Sequence, residues 1–333
     1  MVKLGDVINV HYGKALKADQ RVSNGSVHVF GSSGIVGNHD KTLCSYPTII
    51  IGRKGSVGAI TWAPDGGWII DTAYYVEIKD NNKLDLRYLF YILSGIDLTK
   101  KTITTSIPGL NRDDLYDTFI KLPPFEEQKR IVDLLDKAEG IRQKREQAIK
   151  LADDFLRAKF LEMFGTPANN IHRFPKGTIR DLVDSVNYGT SAKASIDSGE
   201  YPILRMGNIT YQGRWDFTDL KYLDLSVKEK DKYLVKEGDL LFNRTNSKEL
   251  VGKTAVYEED RPMAFAGYLI RVRPNSIGNN YYISGYLNSI HGKITLMNMC
   301  KSIVGMANIN AQELQNIEIL IPPKHLQDEY EII

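Results

Sequence analysis

The chain has 333 residues, of which 42% are hydrophobic and 25% are charged. These values are typical of a folded protein with two or three domains, and they exclude disordered and fibrous chains. The net charge of +2 does not by itself predict a nucleic-acid partner, so any basic surface has to be local to particular loops.

The sequence predicts neither a membrane-spanning segment nor a metal site. The first ten residues lack the apolar core of a signal peptide, and no later apolar run reaches the roughly 18 residues that span a bilayer. We therefore expect a cytoplasmic protein with no membrane partner. Cys44 and Cys300 cannot form a disulfide framework, and the 6 histidines never fall at paired ligand spacings, so no metal site is predicted.

The first predicted domain covers residues 1–122 and consists mainly of short strands. Runs such as TIII (48–51) and WIIDTAYYVEI (68–78) are rich in β-branched and aromatic residues, and Gly, Asn, Asp and Pro bound them. A helix is predicted near residues 84–93. The pattern indicates a mixed α+β domain that ends at LPPFEEQ (122–128), where prolines follow a strand.

A long helix is predicted over residues 123–165. From Phe125 to about Met163 there is no proline and a single glycine, and such a helix would measure roughly 58 Å at the standard rise per residue. Seven residues of an apolar stripe, here called the seam, fall on heptad a and d positions and predict packing along a partner helix. They are Ile131, Leu134, Ala138, Ile141, Ala148, Ala152 and Phe155. The alternative is a single solvated helix.

The second predicted domain, residues 166–322, repeats the landmarks of the first in the same order. A helix is again predicted, near residues 281–290. IPPKHLQ (321–327) repeats LPPFEEQ, and residues 323–333 are predicted to begin a second long helix. The matching pairs are KLGDVINVHYG (3–13) with TIRDLVDSVNYG (178–189), TIIIGRKGSVGAI (48–60) with DLLFNRTNSKELVGKTAV (239–256), and GLNRDDLYDTFIKLPP (109–124) with NINAQELQNIEILIPP (308–323).

Polar and basic residues cluster in loops at matching points of the two copies. Arginine can bond two acceptors of guanine and asparagine can bond adenine, whereas Lys, Ser and Thr suit phosphates. Any one of these residues can equally be an ordinary turn residue, so the clustering carries the prediction of a DNA-binding surface. The candidates are Ser32, Ser33, Arg53, Lys54, Ser56, Thr104, Thr105 and Ser106 in the first copy, and Tyr188, Arg205, Asn208, Asn243, Arg244, Thr245, Asn246, Ser247, Lys253, Lys301 and Ser302 in the second.

Two other functions remain open at this point. Pro64-Asp65 followed by Glu77-Ile78-Lys79 resembles the pattern of metal-dependent nucleases, in which two carboxylates hold Mg²⁺ and a lysine orients the water. A stand-alone nuclease would use Asp65, Glu77 and Lys79. A protein-interaction scaffold that never touches DNA is the other alternative.

Several segments together resemble the specificity subunit of type I restriction-modification systems. They are YPTIIIGRKGSVGAI (46–60), WIIDTAYYV (68–76), LRMGNI (204–209), GDLLFNRTNSKELVGKTAVY (238–257) and LPPFEEQKRIVDLLD (122–136). The resemblance spans nearly the whole chain. It implies an α+β fold with two globular mixed α/β target-recognition domains in tandem repeat, joined by a long coiled-coil-type spacer helix. Each domain would read one half of a bipartite double-stranded DNA target, and the helix would set the distance between the half-sites.

The resemblance also implies partners. Methyltransferase subunits would dock on the helix and supply methyl-donor binding and adenine methylation, while a nuclease and translocase subunit would bring ATP and Mg²⁺ chemistry. This chain would then hold no catalytic residue and no cofactor. In the family a second long helix follows the second Pro-Pro, whereas this sequence stops about a turn or two into it. We therefore expect a shortened chain whose exposed seam recruits a second copy or a separate fragment.

Overall fold

The protein is described from a computed structural model. The structure describes residues 1–101, 109–247, 250–300 and 307–333. The chain forms two compact units, unit 1 (residues 1–145) and unit 2 (residues 146–333). Within the described residues, none of the helices combines the length and the apolar character that a membrane span requires.

Unit 1 contains nine strands and three short helices among its described residues, and the long helix α4 begins in it. The strands are β1 Val2–Lys3, β2 Ile8–Tyr12, β3 Val27–Gly31, β4 Gly34–His39, β5 Thr48–Gly52, β6 Ile60–Ala63, β7 Trp68–Ile69, β8 Ala73–Ile78 and β9 Phe119–Ile120. The helices are α1 Leu4–Val7, α2 Leu86–Ser94, α3 Arg112–Tyr116 and α4 Phe125–Phe164.

Unit 2 follows the same plan with more strands. They are β10 Lys176–Thr178, β11 Val183–Tyr188, β12 Tyr201–Leu204, β13 Lys221–Leu223, β14 Leu234–Val235, β15 Leu240–Asn243, β16 Thr245–Asn246, β17 Thr254–Val256, β18 Met263–Phe265, β19 Leu269–Pro274, β20 Ala307–Asn308 and β21 Glu318–Leu320. The helices are α5 Val227–Tyr233, α6 Asn280–Asn288, α7 Ile290–Met299, α8 Ala311–Gln315 and α9 Lys324–Glu331.

Each unit is built around one four-stranded antiparallel sheet, and the two sheets have the same strand order. In unit 1 the order is β2-β8-β5-β6, and in unit 2 it is β11-β19-β15-β17. A second sheet lies in each unit, β4-β3-β7 in unit 1 and β13-β12-β18-β14 in unit 2. The internal repeat in the sequence therefore corresponds to a repeat of sheet topology.

The central strand of each four-stranded sheet is buried on both faces. Ile49 and Ile51 of β5 belong to a core formed with α2, whereas Ile50 belongs to a core on the opposite face. In β15, Leu241 likewise belongs to a different core from its neighbours in the strand. Because successive side chains of a strand point to opposite faces, burial of both faces requires a continuous apolar run. This requirement explains the runs TIII and LLF.

The helix predicted near residues 281–290 is α6, and a second helix that was not predicted, α7, follows it directly. Helix α6 ends at Asn288 and helix α7 begins at Ile290, with Ser289 between them. The Ser289 hydroxyl donates a hydrogen bond to the carbonyl of Tyr286 (2.6 Å) and accepts one from the Gly292 N–H (3.0 Å). A serine in this position ends one helix and caps the next, which the apolar periodicity alone did not indicate.

Helix α4 is 40 residues long, and a buried glutamine in its first turn fixes its start. Gln128 is 0% exposed, and its amide nitrogen donates to the carbonyls of Lys83 (2.8 Å) and Pro123 (2.9 Å). Gln327, at the start of α9, is also 0% exposed and donates to the carbonyls of Ile277 (2.9 Å) and Pro322 (2.9 Å). The repeated Pro-Pro and Gln thus form one junction, built the same way in both units.

Candidate nucleic-acid interface

In unit 1 the most distinctive polar feature is the loop that opens with Arg53, between β5 and β6. The Arg53 N–H donates to the carbonyl of Thr72 (2.9 Å), and the Arg53 carbonyl accepts from the Leu110 N–H (3.0 Å). The Gly58 N–H closes the loop on the carbonyl of Gly52 (2.8 Å). The main chain on both sides of Arg53 is therefore held, and its guanidinium donates a hydrogen bond to the carbonyl of Asp71 (3.3 Å).

Unit 2 builds the corresponding loop, which opens with Arg244, in the same way. The Arg244 N–H donates to the carbonyl of Tyr268 (3.0 Å), and its carbonyl accepts from the Ile309 N–H (2.9 Å). The Gly252 N–H closes the loop on the carbonyl of Asn243 (2.8 Å). We call the two segments, residues 53–57 and 244–251, the arginine loops; residues 248–249 lie outside the described residues.

Both arginine loops end on a glycine whose backbone conformation suits no other residue well. Gly58 has φ +76° and Gly252 has φ +79°, which is the left-handed region. A Cβ on Gly58 would lie 3.0 Å from the Leu98 Cβ, and one on Gly252 would lie 2.6 Å from a methyl carbon of Leu296. Close packing and left-handed backbone together require glycine at both positions.

Each arginine lies against a tyrosine that ends the first strand of its sheet. The guanidinium carbon of Arg53 is 5.0 Å from the ring centre of Tyr12, and that of Arg244 is 4.9 Å from the ring centre of Tyr188. Tyr12 and Tyr188 are 46% and 42% exposed. A guanidinium on an aromatic face is positioned without losing its charge. Neither arginine forms an ion pair within the described part of the chain, so each tyrosine–arginine pair presents a positive charge at the surface.

The two tyrosine–arginine pairs differ in their third member. In unit 1 the guanidinium carbon of Arg112 lies 5.2 Å from the Tyr12 ring centre. In unit 2 the Tyr188 hydroxyl instead accepts a hydrogen bond from the Ala311 N–H (2.9 Å). Neither Tyr12 nor Arg112 was among the residues predicted from the sequence to contact DNA. The Tyr-Gly ending shared by the two copies could have identified Tyr12, because Tyr188 was a candidate.

Unit 2 adds a groove of about 570 Å³ beside its arginine loop. Basic residues Lys193, Lys221 and Arg244 line it together with the half-exposed Tyr268. None of the three cations forms an ion pair with another described residue. The fourth basic residue of the groove, Arg205, is paired with Asp219 at 2.8 Å. The groove is therefore positively charged, and it can accept an anion.

Most of the other candidates fall into three groups. Lys54, Ser56 and Ser33 are exposed, and Ser32 lies next to the arginine loop, since a Cβ on Gly55 would be 3.4 Å from its Oγ. Thr245, which is nearly buried, and the partly buried Asn246 and Ser247 follow Arg244 in the second arginine loop. Thr104, Thr105, Ser106, Lys301 and Ser302 lie outside the described residues.

Three candidates point into unit 2 rather than to its surface. Asn208 is 2% exposed, and its amide donates to the carbonyls of Asp216 and Asp219 while its oxygen accepts from the Arg205 N–H. Asn243 is 0% exposed. Lys253 is also buried, and burial lowers its pKa. Because their side chains are buried, these three residues do not belong to the exposed surface that could contact DNA.

One residue of the seam on α4 is packed against a core, and the other six are exposed to solvent. Ile131 packs on the core of unit 1. The other six seam residues are exposed, among them Leu134 (69%), Ile141 (54%) and Phe155 (58%). Ion pairs join the helix to each unit, Arg87 with Asp136 (2.9 Å) in unit 1 and Arg214 with Asp153 in unit 2. The six exposed seam residues form an apolar stripe that faces solvent.

The residues of the nuclease pattern are engaged elsewhere. Glu77 lies 2.9 Å from His11, and the Lys79 ammonium donates to the carbonyl of Gly5 (2.6 Å). Asp65 precedes Gly66, whose φ of +68° is that of a tight turn. In the described part of the chain no three His, Cys, Asp or Glu side chains are grouped to hold a metal ion. The geometry does not favour the nuclease alternative.

The comparison with protein families decides the assignment. The model of the type I restriction modification DNA specificity domain family matches residues 1–151 and 174–331. The chain belongs to this family. The two matched regions correspond to the two copies of the repeat, and the resemblance inferred from the sequence is confirmed.

Curated specificity subunits are similar to this chain over part of their length. A putative type I restriction enzyme MjaX specificity subunit of Methanocaldococcus jannaschii is 32% identical over 149 residues, 44% of this chain and 35% of the relative. The type I restriction enzyme EcoKI specificity subunit of Escherichia coli K12 is 26% identical over 225 residues, 63% of this chain and 48% of the relative. The matched part thus amounts to between a third and a half of either relative.

A solved structure supports the fold. The crystal structure of a type I restriction-modification system S subunit from M. genitalium superposes with a TM-score of 0.68 at 15% identity, over 98% of this chain and 86% of that chain. The predicted α+β class, with two tandem recognition domains and a long helix between them in sequence, is confirmed for this member of the specificity domain family.

Proposed function

We propose that the chain is the sequence-specific DNA-binding subunit of a type I restriction-modification complex, and that each unit reads one half of a bipartite duplex target. The observation that carries the proposal is the tyrosine–arginine pair, built on the same main-chain hydrogen bonds in both units. A pre-positioned, unpaired guanidinium on a surface loop has the chemistry that recognises a guanine edge or a phosphate.

Duplication supports the bipartite target. Two similar readers carried by one chain bind two half-sites, as two subunits of a symmetric repressor do. The loops around the pairs differ in length and in side chains, since GRKGSVG in unit 1 corresponds to NRTNSKELVG in unit 2. Different side chains, held by the same main-chain hydrogen bonds in the two loops, would read different bases.

Catalysis belongs to partner subunits in this proposal. The exposed seam of α4 would bind helices of methyltransferase subunits, which bring the methyl donor and methylate adenine. A nuclease and translocase subunit would join with ATP and Mg²⁺. The same seam would also allow self-association, because an apolar helix face of this length gains free energy when it is covered.

Mapping methylated adenines tests the proposal. The chain would be expressed with its methyltransferase in a host without restriction systems, and the host genome read by long-read sequencing. We expect a split motif with a fixed gap. An unsplit motif, or none in cells that contain the intact complex, would contradict the proposal.

Two further assays separate the alternatives. Mg²⁺-dependent cleavage of duplex DNA by the chain alone, lost in Asp65→Ala, would support a nuclease. Binding of the methyltransferase complex to DNA that is absent, or independent of salt, would support a scaffold, because contacts with phosphates release counterions.

A further inference from the structure

In the described parts of the two units, two guanidinium groups lie on the Tyr12 ring of unit 1, whereas one lies on the Tyr188 ring of unit 2. Arg112 lies between two tyrosines, 5.2 Å from the ring centre of Tyr12 and 5.8 Å from that of Tyr116. The Tyr116 hydroxyl accepts a hydrogen bond from the Val10 N–H (3.0 Å), which fixes that ring to strand β2. Arg112 is therefore positioned by aromatic contacts rather than by an acid.

The position of Arg112 leaves its hydrogen-bonding capacity unused. Its Nε is shielded from solvent and has no hydrogen-bond partner. Its terminal nitrogens have no partner among the described residues, and it forms no ion pair there. Arg53, on the same Tyr12 ring, donates to the main-chain carbonyl of Asp71 (3.3 Å) and lies 5.7 Å from the ring centre of Tyr74. Two positive charges thus share one exposed ring without a carboxylate to neutralise them.

The two guanidinium carbons lie 5.0 and 5.2 Å from the centre of the same ring, so their charges repel each other unless an anion joins them. Guanidinium pairs bind phosphate well, because each planar fork can direct parallel N–H groups at two oxygens. A phosphate at the exposed edge of Tyr12 would contact both forks, whereas a flat base edge offers too few acceptors for two arginines. The arrangement therefore fits a phosphate oxyanion better than a base.

Resting on the proposed function, we infer that Tyr12, Arg53 and Arg112 form a phosphate clamp that holds one phosphodiester of the DNA backbone, and that unit 2 has no such clamp. In unit 2 the place of the second guanidinium is taken by the Ala311 N–H, which bonds the Tyr188 hydroxyl. Among the described residues, Arg244 is consequently the one guanidinium on the Tyr188 ring, and Lys193 and Lys221 line the groove beside it. Through the clamp, unit 1 increases the affinity for DNA of any sequence. In unit 2, Arg244 contributes to discrimination between base sequences.

The test measures salt dependence on the complex of the full chain with its methyltransferase. Fluorescence anisotropy would follow binding to a target duplex and to a duplex of scrambled sequence over a series of NaCl concentrations. For Arg112→Gln we expect about a tenfold loss of affinity on both duplexes, since a hydrogen bond to a charged group is lost. The slope of log K against log salt should fall in magnitude by about 1.

Three controls make the result specific. Lys83→Gln removes one exposed charge from the same unit, and its ammonium makes only a surface ion pair with Asp80 (3.5 Å), so the slope should stay unchanged. Arg112→Lys keeps the charge and should retain the slope while losing part of the affinity. Thermal unfolding of Arg112→Gln checks that the variant is folded; if it is not, Arg112→Lys and Tyr12→Ala carry the test.

Some outcomes would overturn the clamp. An unchanged slope in folded Arg112→Gln excludes a phosphate contact, and loss on the target duplex alone assigns Arg112 to a base. Pyrophosphate offered without DNA tests the other source of phosphate: if calorimetry shows binding that Arg112→Gln abolishes while DNA affinity is unchanged, the site serves a free anion. A wild-type complex that binds no duplex at all would instead refute the proposed function.

Discussion

Replacing Gln128 with alanine tests how the junction between unit 1 and helix α4 is held. The side chain is 0% exposed, and it makes three hydrogen bonds within unit 1. Two are donated to the carbonyls of Lys83 and Pro123, and the third is accepted from the Asp85 N–H at 2.9 Å. Alanine would leave one donor and two acceptors, which these bonds keep partly shielded from solvent, without partners.

The expected cost follows from those three groups. A buried polar group without a partner costs about 1 kcal/mol or more, so the free energy of unfolding of unit 1 should fall by about 3 kcal/mol. A loss of this size corresponds to roughly a 100-fold increase in the unfolded fraction. It would make Gln128→Ala one of the more destabilising single substitutions in unit 1.

Hydrogen exchange read by mass spectrometry can localise the effect. Amides of β5, in the centre of unit 1, exchange only on extensive unfolding of that unit, so their protection reports its stability. We expect that protection to fall about 100-fold, as calculated above, while β15 in unit 2 stays unchanged. Gln143→Ala is the matched control, because Gln143 is exposed on the same helix and bonds only Glu139. Equal exchange in the two variants would refute the reasoning.

Three further predictions concern the DNA surface and the helix. Arg244→Ala should weaken binding only to duplexes that carry the second half-site. An equal loss of affinity on every sequence, measured by anisotropy, would mean that Arg244 contacts a phosphate. The chain should self-associate at micromolar concentration in sedimentation, and Ile141→Lys should reduce this; a clean wild-type monomer would count against it. Burial would raise the pKa of Asp136, but hydrogen bonds from Tyr91 and Arg87 outweigh burial and hold it below its usual value. Asp136→Asn should therefore destabilise unit 1 at neutral pH, and in urea denaturation the difference from wild type should disappear as pH falls below about 4.

Sequence patterns predicted the architecture well where the physical requirement is local. A strand buried on both faces needs an unbroken apolar run, so β5 and β15 were visible as TIII and LLF. The Pro-Pro and Gln repeat predicted the junctions, because proline ends a strand before a helix begins. The buried role of Gln128 was not predicted, since it depends on carbonyls from residues far along the chain.

The candidate surface was harder to predict for the same reason. Arg53 and Arg244 were identified because each follows a buried strand directly. Arg112 was missed, because its place on Tyr12 arises only when the chain returns and the Leu110 N–H bonds the Arg53 carbonyl. Asparagine is a residue type that often reads DNA bases, yet the Asn208 side chain bonds backbone groups of its own turn. Asparagine bonds its local backbone as readily as a base, and sequence alone does not separate the two uses.

The way the arginine loops are closed has a consequence for how such a protein can change. The closing bonds join main-chain N–H and carbonyl groups, so they do not depend on which side chains the loop carries. The two copies already tolerate loops of different length between the same closing contacts. Residues such as Lys54 and Ser56 could therefore be randomised without rebuilding the unit, and new target preferences could arise through substitutions that leave folding stability nearly untouched.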